Sequence, residues 1–318
     1  MSQNEIPTIG IDFGGTSIKL GVVLGSQVIA QAPSIATQEY ETPEELIQAI
    51  SQFVGMLRAS HPEASAIGMG MPGFVNHYEG TVFTLTNVAG WDNIPVRDLL
   101  QAATGLPVCV ENDANCMAYA EWQLGAARGK KHAICLTLGT GVGSGIIVNG
   151  ALLRGATCSA GELGQTSIDY NGRLGHYGNR GSLEDYIGNK ELAADARSMY
   201  ASHGQDKTIV DCNPITLEKA ALNGDQIALK IWNDIARKLA CSLINCCYLF
   251  NPEVIVIGGG VSKAKALLFD PLQTFMREQM PEPLIKHLQI IPAMFGTEAG
   301  IIGAARLARD TFSGETNA

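Results

Sequence analysis

Asp12 sits between an apolar run and the turn Gly14-Gly15-Thr16 in the stretch IGIDFGGTSIKLGVV, which covers residues 9–23. Such a turn leaves backbone N–H groups free to converge on anionic oxygens, and the small hydroxyl of Thr16 adds a donor without blocking approach. At the end of its strand, Asp12 would orient Mg²⁺ or its waters beside phosphates held there, a task for hard oxygen ligands. Lys19 lies on the following strand, within reach of the same turn. A second apolar run, ICLTLGTG at 134–141, ends in Gly139-Thr140-Gly141 and is followed by another strand pattern. Two such turns could hold one polyphosphate. A plainer role for the first is a tight hairpin capped by Asp12, and without the second turn that plainer role would be preferred.

A third constellation is VCVENDANCMAYAEW at 108–122, where a short apolar strand runs through Glu111 into Asn112 and Asp113 and then into a helical pattern. Asp113 therefore falls at the carboxyl end of a strand and the start of a helix, where α/β sheets bind ligands. Asn and Asp are also favoured N-caps. One residue suffices for a cap, which leaves the other for chemistry: an aspartate there could accept a hydroxyl proton while that oxygen attacks a phosphoryl group, with Asn112 fixing a neighbouring hydroxyl.

The elements that must position these residues alternate. Strands are expected at 8–13, 17–24, 27–31, 66–71, 107–111, 133–138, 144–149 and 253–258, with Gly25-Ser26 and Asn149-Gly150 as hairpin turns. Thr42, Pro43 and Glu45 form a capping box with proline at the first helical position, ahead of the apolar stripe Leu46, Ile47, Ile50, Val54 and Leu57. The longest helix should start at Asp225 after a Gly224 stop. The echo between 9–16 and 134–141 predicts a duplicated hairpin unit opening each of two domains, with both turns facing one cleft. GMGMPG at 68–73 fits G-x-G-x-x-G but is followed by turn-rich sequence in place of a helix, and Gly129-Lys130 lacks the rest of a P-loop.

Composition narrows the partners. The chain has 318 residues, 31 acidic against 22 basic, a net charge of −9 and no basic block, which argues against nucleic acid or an anionic membrane surface. No basic leader with an apolar core and no run of the ~18 apolar residues that a membrane span needs is present, so a cytoplasmic protein is expected. The 8 cysteines lie mostly in apolar runs without CxxC spacing, as reduced, packed thiols would.

In order along the chain, DFGGT at 12–16, MPGFVN at 71–76, TNVAGW at 86–91, ENDAN at 111–115, LGTGVGSG at 138–145, SAGELG at 159–164, NPEVIVIGGGVS at 251–262 and GTEAGIIGAA at 296–305 resemble the ROK sugar kinases, bacterial glucokinases and N-acetylhexosamine kinases of the actin-like ATPase superfamily. The resemblance covers nearly the whole chain. The family also contains repressors with an N-terminal DNA-binding helix pair, and the short lead before the first strand makes that class unexpected.

The resemblance implies an α/β, two-domain actin-like (ribonuclease H-like) fold of duplicated mixed sheets flanked by helices. The N-terminal domain would be 1–118 completed by the C-terminal helix 297–318, and the second domain 119–296. It further implies that Asp12, Gly14, Gly15 and Thr16, with Lys19 close by, form the first phosphate segment and Gly139, Thr140 and Gly141 the second. Gly258, Gly259 and Gly260 would lie under the adenosine, although close packing of a strand-to-helix turn explains them almost as well. Asn112 and Asp113 would meet the sugar's 4- and 6-hydroxyls, with Asp113 as base. Glu162 and Glu184 would face the 1- to 3-positions, and Gly73 and Asn87 would wall the sugar pocket.

One loop departs from the family pattern. Where the family has a His and three Cys that bind a structural zinc, this chain has Gln165, Gly175, Tyr177 and Ser182. No zinc is expected, since His176 alone makes no tetrahedral site. The loop should instead be held by hydrogen bonds, by burial of the Tyr177 ring, and by Arg173 or Arg180 pairing with a carboxylate such as Glu184 or Asp185. Gln165, at the usual His position, leaves the preference for the sugar's 2-substituent open. The expectation is an ATP- and Mg²⁺-dependent kinase that phosphorylates the 6-hydroxyl of a hexose, glucose first and N-acetylglucosamine or N-acetylmannosamine behind it, acting as a homodimer. An actin-like ATPase serving as a switch or filament is the alternative of another class.

Overall fold

The structure, a computed structural model, describes residues 6–85, 88 and 90–313. Asn87 lies outside the described residues. The chain divides into two compact units: Met1–Arg128 with Leu152–Ala160 and Phe295–Ala318, and Gly129–Ala151 with Gly161–Met294.

In the first unit the strands run in the order Gln27–Gln31, Ser17–Leu24, Thr8–Phe13, Ile67–Met71, Val108–Asn112. Thr8–Phe13 is antiparallel to Ser17–Leu24 and parallel to Ile67–Met71, which is in turn parallel to Val108–Asn112. The second unit repeats this plan: Ala151–Leu152, Val142–Val148, Ala133–Leu138, Val254–Gly258, Gln289–Pro292. Ala133–Leu138 is antiparallel to Val142–Val148 and parallel to Val254–Gly258, itself parallel to Gln289–Pro292. The short echo in sequence is thus a duplication of whole sheets, each opened by a hairpin whose turn is rich in glycine. Gln289–Pro292 and a small sheet of Phe74–Asn76, Thr81–Thr84 and Asp92–Ile94 were not expected from sequence. At three or four residues their runs are too short to carry a period.

Both helix signals hold. Thr42 caps Pro43–Ser60 with the full capping box, and Asp225 caps Gln226–Phe250 through Ile227 N and Ala228 N. The first unit's core gathers Ile9, Ile11, Phe13, Leu20, Leu46, Ile50, Ile67, Met69, Val108 and Val110. The helix Ala299–Phe312 returns to lie on this sheet at backbone contact. A Cβ on Gly10 would overlap the Ile301 carbonyl, and one on Gly68 the Ala304 carbonyl. Gly68 of GMGMPG therefore serves helix packing, not a dinucleotide. The cysteines are all free and, Cys241 apart, buried, and among the described residues no helix is long and apolar enough to cross a membrane.

Candidate active site

In the first unit the singled-out residues meet at the carboxyl ends of three neighbouring strands. Asp12 pairs with Gly70 and Gly70 with Glu111, so residues 12, 70 and 111 stand at one level, with Asn112 and Asp113 just beyond. A Cβ on Gly70 would press on the Cys116 side chain, at 3.1 Å from its Sγ and 3.3 Å from its Cβ, and its absence lets the helix Asp113–Gln123 lie close to the sheet.

Asp12 faces Lys19 across the hairpin. Burial pushes its carboxyl above the usual carboxylate range, and the Lys19 charge pulls it part of the way back. The turn beyond it is closed by Gly14 N donating to Ser17 O at 3.0 Å. Buried Thr37 holds it from behind, donating its hydroxyl to Gly15 O at 3.0 Å and its N–H to Thr16 O at 3.2 Å. The start of the C-terminal helix comes up against Asp12 as well: a Cβ on Gly300 would crowd both carboxylate oxygens. Neither Thr37 nor Gly300 was found from sequence. Thr37 lies in an irregular stretch, and GTEAGIIGAA marks Gly300 without saying what it touches.

Asn112 takes the cap: its Oδ1 accepts from Asn115 N at 3.1 Å, and its Nδ2 donates to Gly73 O at 3.1 Å. The structure thereby brings Gly73 and Asn112 together. Gly73 has φ +78, and a Cβ there would press on Thr84 O at 2.8 Å. Asp113 is the first helical residue and is not required for the cap; its Oδ1 accepts from Ala114 N at 2.8 Å. Beneath them Glu111 is completely buried.

In the second unit the turn Gly139-Thr140-Gly141 is closed by Gly139 N donating to Gly141 O at 3.0 Å. Gly258 pairs with Thr137, and Gly259, at φ +85, has no room for a Cβ against Leu138. Close packing thus accounts for Gly259, while Gly260 faces open space; the triple glycine and the second turn lie side by side. Glu184 joins them: its Oε2 accepts from Val142 N at 2.8 Å, and its Oε1 accepts from Gln165 Nε2 at 3.0 Å. A Cβ on Gly141 would overlap the Glu184 carboxylate. Glu162 is exposed by area, yet protein atoms crowd its carboxyl and raise its pKa, with the Glu184 charge adding to the shift.

The loop at the family's zinc positions is tied by polar contacts. Gln165 O accepts from Asn179 Nδ2 at 2.7 Å, Gly175 N donates to Asn179 O at 2.7 Å, and Ser182 Oγ donates to Asp185 Oδ2 at 2.5 Å. A Cβ at 175 would require the Asp185 carboxylate, which accepts from Ser182 Oγ, to shift aside. One expectation fails: Tyr177 is 56% exposed and its ring is not buried. Arg173 does pair with a carboxylate, but with one other than Glu184 or Asp185: it grips Asp195 of the helix Asn189–Ser202 through both carboxylate oxygens, at 2.9 and 2.8 Å, and stacks over Tyr186. Arg180 donates to Gly172 O at 3.2 Å.

Two duplicated α/β units with glycine turns at corresponding strand ends define the actin-like class of phosphate-handling folds. Residues 8–311 match the model of the ROK family, and the chain belongs to that family. It is 34% identical over 313 residues to a glucokinase of Streptomyces coelicolor, covering 95% of this chain and 98% of that one. A glucokinase of Thermotoga maritima is 30% identical over 316 residues, covering 98% and 99%. The structure superposes with a TM-score of 0.80, at 32% identity and 96% and 99% coverage, on a ROK glucokinase from Streptomyces griseus in complex with glucose and AMPPNP.

Proposed function

We propose that this ROK chain is an ATP-dependent hexose kinase that transfers the γ-phosphoryl group to the 6-hydroxyl of glucose. The observation that carries this is the corner at 112–113. Asn112 makes the helix cap, and the half-buried Asp113 beside it opens the helix at the carboxyl end of a parallel strand, where α/β sheets bind their ligands. Asp113 would take the proton of the 6-hydroxyl as its oxygen attacks in line, while Asn112 and Gly73 orient the sugar. Gly14, Gly15 and Thr16, with Lys19, and Gly139, Thr140 and Gly141 would hold phosphate oxygens through backbone N–H groups, and Gly258, Gly259 and Gly260 would lie against the adenosine. Glu162 and Glu184 would accept from ring hydroxyls. Gln165 joins them, since its Nε2 is committed to Glu184 and its Oε1 remains to accept a further hydroxyl.

Among the described residues no cluster of three His, Cys, Asp or Glu side chains is built to hold a metal. Mg²⁺ binds through one or two carboxylates plus phosphates and water. The donor set fits: Asp12 offers hard carboxylate oxygens beside the first glycine turn, with Lys19 as the neighbouring charge, and burial of its carboxyl weakens its hold on charge until a cation is near. When bound, Mg²⁺ would neutralise charge on the transferred phosphate. Zinc is not part of the proposal. Cytoplasmic residence, a place in glycolysis and a homodimer belong to it, supported by the resemblance.

A coupled ADP-release assay over a hexose panel tests the function, with the product's phosphate located by NMR. Glucose should exceed N-acetylglucosamine and N-acetylmannosamine in kcat/KM, because a site built for hydroxyls leaves groups unpaired with other substituents. An N-acetyl sugar winning by about tenfold would move the function to hexosamine phosphorylation. ATP hydrolysis that ignores sugar altogether would favour a switch or filament ATPase.

A further inference from the structure

Glu111 is a fully buried carboxylate at the end of an otherwise apolar strand, one residue before Asn112. Its partners are specific. Oε1 accepts from Asn112 N at 3.0 Å and from Asn115 Nδ2 at 3.0 Å. Oε2 accepts from Arg154 Nε at 2.7 Å and lies 3.5 Å from His77 Nδ1. His77 Nδ1 is also 2.9 Å from Val110 O; both neighbours are acceptors, so Nδ1 carries the hydrogen. Burying an ion pair is seldom a net gain in stability over apolar packing, while removing one partner is costly. The surrounding strand residues Val108 and Val110 show what packing alone would put there. The contacts instead converge on Asn112 and Asn115, the two residues that make the helix cap.

We propose that Glu111 and Arg154 are a positioning pair for phosphoryl transfer: Arg154 holds the Glu111 carboxylate, which fixes the backbone of Asn112 and hence the placement of Asp113. This rests on Asp113 being the base of the proposed kinase. Asn112 is held on three sides, by Glu111 at its N–H, by Asn115 N at its Oδ1 and by Gly73 O at its Nδ2. Arg154 comes from Leu152–Ala160, a segment that belongs to the first unit and is closed on itself by Ala160 N donating to Arg154 O at 3.0 Å. The residues that follow are Gly161 and Glu162, so one end of the pair supports the proposed base and the other anchors the chain that leads to a proposed sugar contact.

The test uses the full chain with Arg154→Met, the neutral double variant Glu111→Gln/Arg154→Met, and Arg154→Lys, which keeps the charge but not the Nε donor. Arg154→Met should lose melting temperature, because it leaves a buried carboxylate unpaired. The double variant should recover most of that loss and still show kcat at least about tenfold below wild type, since a displacement of about 1 Å at a reacting group can cost two orders of magnitude. KM for ATP should stay within about twofold, and Arg154→Lys should fold with kcat intermediate between wild type and double variant. A purely structural pair would give kcat that returns with melting temperature; a double variant within about threefold of wild-type kcat overturns the proposal. Crystal structures of the double variant and of Arg154→Lys supply an arm that needs no substrate: the Asn112–Gly73 contact should be lost or lengthened and Asp113 displaced, and an unchanged corner in both overturns the pair. If the wild-type protein releases no ADP with any hexose, the kinase assignment fails, and this crystallographic arm still decides whether the pair positions the corner.

Discussion

Asp113 and Glu184 each open a helix, and what stands behind them differs. Behind Asp113 are a parallel strand, the first unit's apolar core, and a buried carboxylate gripped by an arginine. Behind Glu184 are a glycine turn, one backbone N–H and one amide side chain, on a loop of turns and isolated bridges. The first arrangement can hold a reacting group in place; the second can hold a hydroxyl-binding group and adapt. Asn179, Ser182 and the Arg173–Asp195 pair tie that loop together.

The sharpest break in this comparison is Asp113→Asn. It keeps shape and hydrogen bonding but cannot take a proton, so kcat should fall by about 10² to 10⁴ with little change in sugar affinity. Retention of more than about a tenth of wild-type kcat would end the general-base assignment.

Glu184→Ala should act on both turn and sugar. Val142 N and Gln165 Nε2 lose their acceptor and a ring hydroxyl loses its partner, so kcat/KM should drop by about 10- to 100-fold, with KM for sugar carrying most of it. Steady-state kinetics in which kcat alone falls would place Glu184 with Asp113 instead.

Arg173→Ala removes a partly exposed pair, worth about 0.2–1 kcal/mol at such sites. KM for sugar should rise a fewfold and kcat hold; the rise should be mimicked in wild type by high salt. No change in KM would mean the loop is held without this clasp.

The two regions should also respond to pH in opposite senses. Burial and then the Arg154 charge lower the pKa of His77, against the pull of Glu111 and of the hydrogen bond to Val110 O, with Arg97 adding to the lowering. The native state therefore releases that proton more readily than the unfolded chain, and stability is lost as pH falls below the unfolded value of about 6.5. Glu162 is shifted up, first by crowding and then by Glu184. Its contribution is fully present below its unfolded value and lost as pH rises through the folded one. Opening free energies from hydrogen exchange, compared between about pH 5 and 7, should show residues 112–115 weaker in acid and 162–184 weaker near neutrality. Parallel slopes would remove this distinction.

The smallest effect on stability is expected from chelation. The protein should keep its melting temperature in chelator, activity should be lost only with Mg²⁺, and added Mg²⁺ alone should restore it. About one zinc per chain by elemental analysis, or a drop of many degrees, would show ligands recruited around His176.

The corner was largely legible: an apolar run, a charged break and a helical period are local signals, and Glu111-Asn112-Asp113 falls where they change over. Its support was not. Glu111 reads as one more polar residue at a strand end until Arg154 and His77 arrive from distant parts of the chain. In the loop, glycine spacing marked turns, but which carboxylate Arg173 takes was left open and the exposure of Tyr177 was misjudged, because an aperiodic polar segment gives no face on which to place a side chain.

Local order thus came from the sequence itself: two glycine turns after apolar strands, two capped helices, thiols without pairing spacing, and an ordered set of motifs that marks the family. Each depends on residues a few positions apart, where backbone geometry imposes a period or a cap. Tertiary structure decided the pairings. Full sheet duplication, the C-terminal helix lying on Gly10 and Gly68, the Glu111–Arg154 pair and the Arg173–Asp195 clasp join residues whose separation along the chain carries no periodic trace, and only packing brings their atoms within reach of one another.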